Sequence, residues 1–93
     1  PTVVAVAGER PRASALARYE AATQPHVTNQ LHTRVRLPDA DARRLLTMLD
    51  GETDRAALAR AMTDPARGVD AVRAKTFVDD TLGEFARLAL LVG

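Results

Sequence analysis

Cysteine is absent from the 93 residues, which removes disulfides, thiolate metal sites and cysteine nucleophiles at once. A reducing, cytoplasmic setting fits that absence. Tryptophan and isoleucine are also missing, and two Phe and one Tyr are the only aromatics, so RNA or single-stranded DNA would find no paired stacking residues. The longest apolar run covers residues 88–92, far short of the roughly 20 residues that cross a bilayer, and residues 1–7 lack the basic start and the length of a signal peptide. A soluble protein with no membrane partner is expected. Nor is there an excess of one charge: 13 basic residues stand against 12 acidic, so net charge advertises neither a nucleic-acid nor a membrane surface. The length admits one domain and excludes a two-domain enzyme.

Alanine dominates what is present. Of 43 apolar residues 18 are Ala, leaving 9 Val, 11 Leu, 2 Met, 2 Phe and 1 Tyr for the interior. Alanine favours helix and disfavours strand, so the composition points to helices packed closely through small side chains. Arginine supplies 12 of the 13 basic residues, and the halves differ in charge, with +3 over residues 1–46 and −2 over 47–93.

Residues 2–7 (T-V-V-A-V-A) read as a short strand with no partner named by the sequence, and residues 1–10 as an N-terminal extension. Residues 11–22 read as a helix opened by Pro11, with Leu16, Ala17 and Ala21 sharing a face. Over residues 27–37 Thr33, Val35 and Leu37 alternate with Arg34 and Arg36, which predicts a strand or a small hairpin turning near residues 29–32. Asp39 then caps a helix over residues 39–50, whose Ala42, Leu45, Leu46 and Leu49 form a buried stripe, with Gly51 as its left-handed C-terminal cap. Thr53 or Asp54 caps a second helix reaching Met62 that buries Ala57, Leu58, Ala61 and Met62; residues 63–69 form a loop. A last helix over residues 70–91 aligns Val78, Leu82, Phe85 and Ala89, and its interior Gly83 predicts a bend or the close approach of another backbone. Helix, hairpin, then three helices with a tight turn between the first two of them is a mainly α (α+β), winged-helix-like domain over residues 11–93.

Several blocks resemble the C-terminal winged-helix-like domain of SAM-dependent methyltransferases of the protein-lysine type, those that carry a methyltransferase regulatory domain. They are P-R-A-S-A-L-A-R from Pro11, V-T-N from Val27 followed by His32, L-L-T-M-L-D-G from Leu45 continuing to D-R-A-A-L from Asp54, and L-A-L-L from Leu88. The resemblance spans residues 9–92. It implies a non-catalytic accessory domain that packs against an upstream methyltransferase domain, or helps to recognise a protein substrate. S-adenosylmethionine would belong to that upstream domain, because Gly8, Gly51, Gly68, Gly83 and Gly93 are isolated and none opens a nucleotide-binding turn. The chain opens on Pro1 rather than Met, and a piece of a longer protein is the expectation.

The residues point to no chemistry of their own. His26 and His32 lie six apart with neither Cys nor acid between them, short of a metal set, and His32 reads as a hairpin residue whose ring bonds locally. Ser14 and the threonines have no His or carboxylate placed by sequence to activate them. Asp79, Asp80 and Glu84 read as a solvated acidic face. No catalytic, cofactor-binding or metal residue is assigned. The candidate partner surface is Asn29, His32, Arg34, Arg36, Arg43 and Arg44, the hairpin tip and a cluster of positive charge. Two other classes compete with it: a stand-alone winged-helix module binding a peptide along a strand edge, and one binding DNA, disfavoured because the helix 54–62 offers only Arg55 and Arg60 beside Asp54 and alanines.

Overall fold

The computed structural model describes residues 6–92. Its elements are β1 (Arg12–Ala13), α1 (Ala15–Thr23), β2 (His26–Thr28), β3 (Arg34–Arg36), α2 (Ala40–Thr47), α3 (Arg55–Met62), a 3-10 turn (Pro65–Arg67), α4 (Ala71–Arg87) and β4 (Leu91–Val92). This is the mainly helical α+β order expected of a winged-helix domain. Each helix opens on a short polar side chain that takes a free first-turn amide: Ser14 from Ala17, Asp39 from Asp41, Asp54 from Ala57 and Asp70 from Arg73.

The chain packs as two helix pairs, α1 on α2 and α3 on α4. Phe85, Leu45, Leu46, Leu49, Leu58, Leu82, Leu90 and Leu91 are fully buried between them. Ala17 and Ala21 are the apolar residues that α1 buries, so this helix meets its neighbours through methyl groups, as the composition suggested. Ala57 and Ala61 are only partly buried, while Leu58 and Met62 carry the inner face of α3.

Three boundaries depart from the sequence reading, each through tertiary hydrogen bonding. Pro11 does not open α1. Ala13 donates to Leu49 O at 2.9 Å, Gly51 donates to Pro11 O at 3.2 Å, and Arg12–Ala13 pairs antiparallel with Leu91–Val92, so the segment is a strand bridging both ends of the chain. Leu16, expected on the inner face, is 55% exposed. Helix α2 stops at Thr47, because Leu49 and Asp50 leave the helix to meet β1; Gly51 is left-handed (φ 82°) but sits in the following turn. Helix α4 ends at Arg87 rather than near residue 91, with Ala89 left-handed at φ 59°. That strain, roughly 1–2 kcal/mol, is offset where Gln30 donates to Ala89 O at 2.8 Å and where Leu90 and Leu91 enter the core and the strand.

No other backbone approaches Gly83 within the described residues; an added methyl group would meet only the tip of Arg87 at 3.7 Å. Of the strand expected over residues 2–7, residues 2–5 lie outside the described residues, and Val6 and Ala7 carry no strand.

Candidate functional site

The expected hairpin is present, with β2 antiparallel to β3 in the register His26↔Arg36, Val27↔Val35 and Thr28↔Arg34. Its tip spans residues 29–32, closed by His32 N–H on Asn29 O at 3.1 Å, with His32 left-handed at φ 60°. Asn29 belongs to the interior. It is 8% exposed; its amide donates to Leu88 O at 3.0 Å, and its Oδ1 accepts from the Leu31 and Thr33 N–H groups at 3.0 and 2.9 Å. The side chain placed by sequence on a partner surface instead pins the tip to the end of α4. His32 remains exposed, and its ring makes no hydrogen bond among the described residues, contrary to the local bond expected.

The four arginines do not form one patch. Arg34 and Arg36 project from the exposed face of β3, Arg34 reaching Gln24 Oε1 at 3.3 Å. Arg43 turns back to donate to Leu37 O, and Arg44 donates to Ala61 O at 2.9 Å, tying α2 to the end of α3. Arg36 borders a groove between β3 and α4, whereas Arg44 borders a separate depression with Val72 and Phe77. The exposed residues of the expected surface are therefore His32, Arg34 and Arg36 on the hairpin, with Arg44 on another side.

A second cluster escaped the sequence reading because its members lie far apart in the chain. Arg55 donates to Asp79 Oδ1 at 2.8 Å, to Ala7 O at 2.7 Å and to Gly8 O at 2.9 Å, while its own N–H donates to Glu9 O at 3.1 Å. Lys75 adds a bond to Asp79 Oδ2 at 2.8 Å. The Lys75 and Arg55 hydrogen bonds hold the Asp79 carboxyl below its ordinary value of 3.8. Asp79 is thus bonded rather than solvated, and Glu84 pairs with Arg87 at 2.7 Å; Asp80 alone of that acidic face is exposed without a partner among the described residues. The cluster borders a groove of about 600 Å³ between α3 and α4, floored by Ala56, Ala59 and Val78. Asp50, in the Leu-Asp-Gly turn, is likewise lowered, by the N–H of Glu52 and then by the N–H and hydroxyl of Thr53. Among the described residues no three His, Asp or Glu side chains converge as metal ligands.

Comparison with known proteins places the fold. The family model "PKMT, C-terminal winged helix domain" matches residues 9–70. The chain belongs to the PKMT C-terminal winged helix domain family. Over its whole length it superposes on PKMT2 from Rickettsia typhi in complex with AdoHcy (TM-score 0.83, 24% identity). It superposes equally completely on PKMT2 from the same organism in a second structure (TM-score 0.74, 26% identity). It spans 22% and 23% of those two chains. A comparison with curated proteins gave no match. No helix among the described residues is long and apolar enough to cross a membrane.

Proposed function

We propose that this winged helix domain is a non-catalytic accessory unit of a larger SAM-dependent protein lysine methyltransferase, where it packs against the catalytic domain and helps to receive the protein substrate. The observation that carries this reading is the family match, together with a fold that covers the whole chain yet only about a fifth of the PKMT2 structures it resembles. The residues here do not suit the cofactor. The glycines are isolated, and Asp79, which lines the groove between α3 and α4, is already taken by Arg55 and Lys75. S-adenosylmethionine would be held elsewhere in the protein.

Helix α1 supports the packing role. It buries its Glu20 carboxylate, which accepts from Thr28 N–H at 2.7 Å and Thr28 hydroxyl at 3.1 Å, while Leu16 and Tyr19, one turn apart, are 55% and 68% exposed. An outward apolar face of this kind suits coverage by another domain. DNA recognition finds less support, since Arg55 is spent inside the fold.

The decisive experiment is to read the complete frame that encodes this chain. A strand followed by a glycine-rich SAM-binding turn is expected, and the full enzyme should lose transfer to a protein lysine when residues 9–92 are deleted. A frame without such a region, or methyl transfer by the 93 residues alone, overturns the reading.

A further inference from the structure

The two edges of the hairpin are treated differently by the fold. The edge of β2 is covered: α1 packs on it, and Thr28 N–H is taken by Glu20. On β3, Thr33 O accepts from Asn29 N–H and Leu37 N–H donates to Pro25 O, which fixes the odd-numbered residues as those bonded to β2. The N–H and C=O groups of Arg34 and Arg36 therefore point away from β2. Among the described residues nothing bonds to them. A groove of about 530 Å³ runs beside this edge and separates it from α4, with Val35, Phe85 and Leu88 along its apolar side.

We propose that the free edge of β3 is a strand-addition site for an extended segment of a partner protein, in which acidic residues two apart face Arg34 and Arg36 and the residue between them is apolar. The backbone supplies two N–H donors and two C=O acceptors at ladder spacing. On one face of the added strand, acids lie across from the two guanidinium groups; on the other, an apolar side chain meets Val35 and the groove beyond it. The same arginines exclude a second copy of this edge, because antiparallel self-pairing would set Arg against Arg. Asp80 on the far rim, exposed and unpaired among the described residues, keeps acids off the groove side and so favours this orientation of the incoming strand.

The assignment rests on the protein-facing role proposed above, but its test does not. The 15N-labelled chain is titrated with a short synthetic peptide in which valine and aspartate alternate, and in parallel with its valine–lysine counterpart. Saturable shifts confined to the hairpin and groove, with slowed exchange of the Arg34 and Arg36 amides, are expected for the acidic peptide alone. The R34E/R36E variant, altered at two exposed positions, should bind the acidic peptide on the order of tenfold more weakly and prefer the basic one. Shifts outside the hairpin and groove, binding indifferent to peptide charge, or the same shifts produced by duplex DNA would each overturn the site. Because the titration needs no catalytic domain, its failure removes the strand site while the encoding frame still decides the accessory role.

Discussion

Replacing Asn29 by alanine tests whether the hairpin tip is held by one buried amide. Three hydrogen bonds are lost: the one to Leu88 O and the two accepted from Leu31 and Thr33. A net bond is worth about 0.5–1.5 kcal/mol, and a buried group left unsatisfied costs more than an exposed one. Leu31 and Thr33 are exposed, so water can reach their amides and those two losses fall at the low end. Leu88 O sits against the buried tip, so its loss falls at the high end. The sum is about 2–3 kcal/mol. At roughly 4–8 °C per kcal/mol for a domain of this size, the melting temperature should fall by roughly 10–20 °C. A thermal melt followed by far-UV circular dichroism measures that shift, and a urea titration the free-energy loss. The N29D variant separates the two halves of the pin, since it keeps an acceptor for the amides but sets a carboxylate against Leu88 O. It should be at least as unstable as N29A at neutral pH and recover as the carboxyl is protonated and can donate. A loss below about 0.5 kcal/mol for N29A, or an N29D variant indifferent to pH, would refute the argument.

Two glycines should respond in opposite directions. G83A adds a methyl group that meets only the flexible tip of Arg87, so it should stabilise by about 0.5–1 kcal/mol. G51A, at φ 82° with its new methyl 3.1 Å from Arg12 Cδ, should destabilise by about 1–2 kcal/mol in the same thermal melt. R55A should loosen the segment at residues 7–9, read as faster exchange of the backbone amide at position 55, which donates to Glu9 O, and earlier proteolytic cleavage near Gly8, with α3 still formed because Asp54 caps it. The Asp50 and Asp79 carboxyls sit below their ordinary value of 3.8 in the folded state. A depressed folded value means that their contribution is fully present above that pH and is lost as pH falls through the folded values. The difference between wild type and D79N in urea midpoint should therefore be constant from pH 5 to 7 and close below about pH 4.

Much of the architecture follows from local sequence. The stripe of Leu45, Leu46 and Leu49, the Asp39, Asp54 and Asp70 caps, and the alternation of Val35 with Arg34 and Arg36 each state an element whose signal lies within a few residues. The family resemblance was legible for the same reason, since its blocks are contiguous. Of the expected surface, Arg34 and Arg36 kept their place, because side chains on an alternating strand have only two faces to choose from. Asn29, Arg43 and Arg44 did not. Their partners are the backbone carbonyls of Leu88, Leu37 and Ala61, and a carbonyl leaves no mark in sequence.

The helix ends divide along the same line. Locally, residues 11–14 suit a first helical turn and residues 88–91 continue a helical stripe, yet Arg12–Ala13 and Leu91–Val92 become strand and Ala89 turns left-handed between α4 and β4. The hydrogen bonds available to residues 11–13 lie on Leu49, Gly51 and β4, and Leu90 and Leu91 are needed in the core. The Arg55–Asp79 pair, 24 residues apart, exists only because α3 packs on α4. Composition and periodicity determined that this chain forms capped, alanine-rich helices around a leucine core with a charged hairpin. Tertiary structure decided where the helices stop, which polar side chains turn inward and which strand edge stays open, because those outcomes depend on hydrogen-bonding groups that folding brings together from distant parts of the chain.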